Sequence, residues 1–256
     1  MYRVVLIDDE RMIVEGLSRV IKWDSFNCAV VGTANDAATG AALIRSLKPH
    51  IVITDIKMPD QDGLSMLAGL KSEFPEMQIA VLTGYRDFNY AQEAIKLGVS
   101  RFLLKPSRMD ELNEAIAAMK EKLDKLPQNA LDTADPADSD LPAGGHAASF
   151  TVNQAKAYIE KNYAQKLTLQ DVADKCYVSQ WHLSKLINKY AGCSFYELLN
   201  SVRIERAKEL LADPRLKICD IVEIVGFSDA AHFSRVFKRT VGMSANEYRN
   251  SLKMRE

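Results

Sequence analysis

The sequence predicts an α/β domain with a parallel sheet, followed by an all-helical domain. Short apolar runs alternate with amphipathic stretches over residues 2–124, the pattern that βαβ units leave in a sequence. After Thr151 the strand-like runs vanish, and a segment repeats at a period of ~50 residues. A chain of 256 residues, 47% of them apolar, has material for two cores and is too hydrophobic to be a disordered chain.

The strands are expected at Val4–Ile7, Ala29–Thr33, Ile51–Thr54, Ile79–Thr83 and Phe102–Leu104. Each is short, apolar and bounded by turn formers, as strands buried on both faces are. The helices are expected at Met12–Ile21, Asp36–Leu47, Leu64–Phe74, Phe88–Leu97 and Asp110–Leu123, where apolar positions recur at helical spacing. Right-handed crossovers in a doubly wound arrangement give a flavodoxin-like five-stranded parallel sheet of order 2-1-3-4-5. Leu126 to Ser149 then breaks every pattern with Pro127, Pro136, Pro142, Gly144-Gly145 and four Asp, and it has no Lys or Arg. The expected organisation is therefore a first domain over 1–124, a flexible linker over 125–149 and a helical domain over 150–254.

The net charge of −1 conceals an asymmetry: from Phe150 onward there are 17 Lys+Arg against 12 Asp+Glu, and before it 16 against 22. The basic part is the candidate for nucleic acid. Cys28, Cys176, Cys193 and Cys219 show no metal-ligand spacing; free thiols are expected, three of them buried among apolar neighbours. No apolar stretch approaches ~18 residues and no leader pattern follows Met1, so a cytoplasmic protein without a membrane partner is expected.

In the basic part, Leu183 to Gly192 matches Phe233 to Gly242, and Leu169-Gln170-Asp171-Val172 matches Ile218-Cys219-Asp220-Ile221 with one residue of slip. Each copy reads as a short helix, a tight turn and a second helix capped by Ser179 or Ser228, so two helix-turn-helix units are expected. Leu183, Leu186, Ile187 and Tyr190 fall on one face of the first copy, leaving Trp181, Ser184, Lys185 and Asn188 outside. In the second, Phe233, Val236 and Phe237 point inward, and Ala231, His232, Arg235 and Arg239 remain for base edges and phosphates. The plain alternative is a satellite core under Trp181 and a solvated charged face. His232 has no second ligand at metal spacing.

At the expected strand ends stand Asp8-Asp9 after the first, Asp55 after the third, Thr83 closing the fourth and Lys105-Pro106 after the fifth. Open α/β sheets place their chemistry at this rim. Taken singly, an Asp here caps a helix and a Lys is a solvated charge. Taken together, clustered carboxylates call for an oxygen-preferring cation, Mg²⁺ or Mn²⁺. Such a cation shields the attack of an Asp on a phosphoryl group, with the Thr83 hydroxyl and Lys105 ammonium as donors to its oxygens. Gly84 leaves space for that group.

Leu6-Ile7-Asp8-Asp9-Glu10, Thr54-Asp55-Ile56-Lys57-Met58-Pro59 with Asp62-Gly63, Leu82-Thr83-Gly84-Tyr85 and Leu104-Lys105-Pro106 make residues 2–124 resemble the receiver domain of two-component response regulators. The resemblance implies that Asp55 is the phosphoacceptor for a sensor histidine kinase. It implies Mg²⁺ ligation by Asp9, Asp55 and the Lys57 backbone carbonyl, with Asp8 acting through water. It further implies a cis Lys105-Pro106 peptide and a switch pair, Thr83 and Phe102. Residues 151–253 resemble the AraC-type DNA-binding domain through Arg203, Arg206-Ala207, Leu210-Leu211, Val225-Gly226-Phe227-Ser228 and Tyr248-Arg249. Ser244-Ala245 departs from the usual Ser-Pro, although Ser244 remains available as a cap. Both resemblances together suggest a YesN-like transcription regulator, a type often tied to carbohydrate uptake. It would act on double-stranded promoter DNA, with RNA polymerase as a partner and a homodimer formed on phosphorylation. Its two heads would enter successive major grooves ~34 Å apart.

Other classes fit less well. A phosphohydrolase of the haloacid dehalogenase type needs an acid two residues after its nucleophile, where this chain has Lys57. A regulator sensing a small effector through a cupin-like module would need an all-β segment, and none is read. The receiver is expected to catalyse only its own phosphorylation and dephosphorylation.

Overall fold

The structure is a computed structural model describing residues 1–58, 61–84, 88–126 and 145–253, with backbone alone at 61, 62 and 253. It divides into two compact units, Met1–Thr151 with Asp174–His182, and Val152–Ala173 with Leu183–Glu256.

In the first unit, β1 (Tyr2–Ile7), β2 (Cys28–Ala34), β3 (Ile51–Thr54), β6 (Gln78–Thr83) and β7 (Arg101–Leu104) form one parallel sheet in the order β2-β1-β3-β6-β7. This is the predicted 2-1-3-4-5 order. The helices α1 (Arg11–Val20), α2 (Ala37–Leu47), α3 (Gly63–Glu73), α4 (Phe88–Lys96) and α5 (Met109–Asp124) follow the strands in turn. Side chains alternate across β1: Val5 and Ile7 join Ala41, Ile44, Leu67 and Leu70 in one core, whereas Val4 and Leu6 join Val14, Ile116 and Met119 in the other. Both faces are covered, which is why the strands read as continuous apolar runs.

Two elements were absent from the sequence reading. A short 3-10 helix, Trp23–Phe26, precedes β2. A two-stranded antiparallel ribbon, β4 (Lys57–Met58) with β5 (Gln61–Asp62), lies between β3 and α3 and is too short to show alternation. It returns the chain so closely that a Cβ on Gly63 would stand 2.0 Å from the Ile56 carbonyl oxygen. Only glycine fits there.

A correction concerns the expected linker. Helix α6 (His146–Asn162) begins inside the stretch assigned to it through Ser149. Ala147 and Ala148 are buried, and Ala147 and Phe150 pack with the core that contains Ile44 and Leu70. Apolar burial thus extends the helix toward a sequence that signals a break. Residues 127–144, which hold most of that stretch, lie outside the described residues.

The remaining helices are α7 (Leu169–Lys175), α8 (Gln180–Ala191), α9 (Phe195–Leu211), α10 (Ile218–Ile224), α11 (Ala230–Val241) and α12 (Ala245–Lys253). In the second unit, α9–α12 close around Ile204, Ala207, Ile221, Phe233 and Phe237. Ser194 and Glu197 form a reciprocal capping box on α9. Ser244 and Glu247 do the same at α12, so the missing proline leaves that start intact. At the turn before α11, Gly226 takes φ +82°, with its Cβ position 2.5 Å from the Ala164 carbonyl oxygen.

Two further expectations are corrected. The cap of α11 is Asp229, whose carboxylate accepts the amides of Ala231 and His232, and not Ser228. A carboxylate takes two amides where a hydroxyl takes one, and it suits the positive end of the helix dipole. Among the thiols, Cys28 and Cys176 are buried, but Cys193 is only partly so and Cys219 is exposed. Cys219 falls between the inward positions of α10 and therefore faces out.

Candidate functional site

The sheet register brings the predicted residues to one edge. Ile7 pairs with Thr54, and Thr83 pairs with Leu104. The ladder runs one residue further: the Asp55 amide donates to the Ile7 carbonyl (3.0 Å), and the Lys105 amide to that of Thr83 (2.8 Å). Asp8, Asp55 and Lys105 are therefore held by the backbone of the sheet itself. Lys105-Pro106 is cis, as the resemblance implied.

Lys105 Nζ lies 2.7 Å from Asp8 Oδ2, 2.9 Å from Asp55 Oδ2 and 3.3 Å from Glu10 Oε1. Asp8 and Asp55 are 3% and 6% exposed, so these are charges withdrawn from water. Burial disfavours the Lys105 ammonium, but the hydrogen bonds it donates to the Asp8 and Asp55 carboxylates outweigh that and hold the group above its ordinary range. Burial also raises the Asp8 carboxyl, and Lys105 offsets only part of that. Asp55 Oδ1 accepts the Lys57 amide at 3.0 Å, and Asp8 Oδ1 accepts that of Glu10 at 3.0 Å. Each buried carboxylate thus keeps one oxygen on the backbone and one on the ammonium.

Asp8, Asp9 and Asp55 each bring one carboxylate oxygen within 4.8 Å of the other two. With Glu10, four acids surround one ammonium and leave excess negative charge, and the all-oxygen set of the three aspartates suits a hard divalent cation. Thr83 is 2% exposed at the end of β6, and Phe102 is half-buried against the core beneath it. A Cβ on Gly84 would meet nothing within 4 Å, in keeping with open space beside Thr83. Pro59 and Tyr85 of the quoted motifs lie outside the described residues. Glu10, the third carboxylate on Lys105, was missed; its position in the run Asp8-Asp9-Glu10 was the available signal.

In the helical region, Leu183, Leu186 and Ile187 are buried on α8 and Phe233, Val236 and Phe237 on α11. Trp181 is 39% exposed and Asn188 is exposed, whereas Ser184 and Lys185 are half-buried. Ala231, His232, Arg235 and Arg239 are all exposed, giving α11 the more open cationic face. Asp229 caps its first turn, and the His232 ring stands edge-on to Phe227 at 5.5 Å. Among the described residues no helix is long and apolar enough to cross a membrane.

Residues 4–117 match the response regulator receiver domain family, and residues 172–251 match a helix-turn-helix domain family. The chain is 32% identical over 263 residues to a response regulatory protein of Staphylococcus epidermidis, covering 99% of this chain and 100% of the relative. To the transcriptional regulatory protein HptR of Staphylococcus aureus it is 31% identical over 250 residues, covering 97% and 98% of the two chains. The solved receiver domain of AraT, a response regulator from Geobacillus stearothermophilus, is 38% identical over 48% of this chain and 95% of that one, with TM-score 0.46. Its receiver, its helix-turn-helix domain and its end-to-end similarity to such proteins show that this chain belongs to the response regulators, as one that regulates transcription under phosphorylation control.

Proposed function

We propose that Asp55 is the residue phosphorylated, and that its state controls binding of the two helix-turn-helix units to promoter DNA. The observation that carries this is Lys105 Nζ bridging Asp8 and Asp55 at the open end of the parallel sheet. With Mg²⁺ held by Asp9, Asp55 and the Lys57 carbonyl, and by Asp8 through water, the cation would neutralise charge on an incoming phosphoryl group. An Asp55 oxygen attacks phosphorus, the bond from phosphorus to the phosphohistidine nitrogen of the kinase breaks, and the imidazole leaves with the electron pair. Thr83 and Lys105 then donate to the new phosphoryl oxygens. As Thr83 moves, Phe102 turns inward into the space it leaves. The only reaction of the receiver is its own phosphorylation and hydrolysis.

Phosphorylation is coupled to homodimerisation through α4 and α5. Support comes from Phe88 and Ile95 on α4, exposed by 78% and 66%. The dimer recruits RNA polymerase at its promoters, in the cytoplasm. Labelling of the full chain by a small phosphodonor should require Mg²⁺ and vanish in Asp55→Asn; label surviving in that variant would sink the assignment. Sedimentation with a phosphoryl mimic should double the mass, and an unchanged mass would remove the dimer.

A further inference from the structure

The second unit contains a cavity of about 570 Å³ that the receiver chemistry does not use. Its apolar wall is Leu167, Leu199 and Phe227, and its polar wall holds the charged Lys166 and Arg203 together with His232. Among its described lining side chains none is acidic. Arg203 is 9% exposed. Its Nε donates to the Tyr163 carbonyl (2.9 Å), its Nη2 to that of Gln165 (3.0 Å), and its plane stands 5.5 Å from the Phe227 ring centre. No carboxylate pairs with it among the described residues, and Nη1 has no hydrogen-bond acceptor there. Burial pushes the guanidinium below its usual range with no anion opposing that shift. A buried charge compensated only by two carbonyls and a ring is costly, and an anion entering the cavity would pair it.

We propose that this cavity binds a small amphipathic anion, with a carboxylate, sulfonate or similar group on Arg203 and Lys166 and an apolar body against Leu199 and Phe227. The volume lies within the range of small-molecule sites and exceeds what a bare oxyanion fills. His232 belongs both to this wall and to the exposed face of α11. Occupancy would therefore act on the second reading head by a route separate from Asp55.

The test uses the full-length chain and 8-anilinonaphthalene-1-sulfonate, with N-phenyl-1-naphthylamine as the same ring system without the anion. The sulfonate probe should bind saturably at one site, at least 10-fold more tightly than the neutral one. Lys166→Glu, at an exposed position, should weaken it by 10-fold or more without changing the melting transition. Arg203→Lys should weaken it as well; should that variant unfold, Lys166→Glu still decides. Equal binding of both probes, or undiminished binding in Lys166→Glu, would overturn the proposal. So would a failure of the probe to bind while Lys166→Glu lowers affinity for duplex DNA, which would make the cationic wall a DNA-backbone contact.

Discussion

Asp8 is a buried carboxylate whose ionisation bears on stability. Its pKa is raised by burial, so the folded chain holds a proton there more tightly than the unfolded chain. The stability tied to that proton is present below the ordinary carboxyl value of about 3.9 and is lost as pH rises through the higher folded value. At pH 7 the ionised group therefore costs stability. Asp8→Asn should raise the urea midpoint at pH 7, with the gain fading toward pH 3, while weakening Mg²⁺-dependent labelling. A lowered midpoint at pH 7 would mean that the bond to Lys105 outweighs desolvation. Lys105 has the opposite bearing: its raised pKa makes its contribution constant through neutral pH, lost only above the ordinary lysine value of about 10.4.

Two elements carry constraints that composition does not reveal. The ribbon β4–β5 brings Gly63 against the Ile56 carbonyl, and Gly63→Ala should destabilise the receiver by about 2–3 kcal/mol through overpacking against backbone. Urea denaturation measures this, and a loss below about 0.5 kcal/mol would show that the ribbon moves aside. At α11 the cap lies one residue later than the sequence repeat implied, at Asp229. Its pKa is depressed by the amides of Ala231 and His232, so its contribution is present at neutral pH and is lost as pH falls through the acid range. Asp229→Ala should lower the thermal midpoint and the affinity for DNA, whereas Ser228→Ala should leave the midpoint in place. The reverse result would restore Ser228 as the cap.

At the scale of the molecule, the charge asymmetry becomes a statement about DNA. The basic residues after Phe150 include Arg235 and Arg239, both exposed on α11. If Arg239 neutralises a backbone phosphate, Arg239→Ala should weaken binding to all duplexes alike and reduce the slope of log affinity against log salt by about 0.9. A change confined to one operator position would instead make it a base reader. The connecting helix α9, with 17 residues, is about 25 Å long, a scale suited to heads that address neighbouring grooves.

Strand order, the four site-bearing strand ends and the helical repeat were legible because each rests on a local period: apolar runs for strands buried on both faces, and helical spacing for Phe233, Val236 and Phe237. The grouping of Asp8, Asp55 and Lys105 was legible only through topology, since residues 50 apart meet when parallel strands end at one edge. Tertiary structure alone decided the rest. Burial of Ala147 and Phe150 started α6 inside an apparent linker, and a close backbone approach made Gly63 obligatory. Arg203, one basic residue among many in the sequence, became a buried cation beside a cavity because Tyr163, Gln165 and Phe227 converge on it from distant parts of the chain. Periodicity encodes which face of an element turns inward; what meets that face depends on the packing of distant segments, and no local pattern carries it.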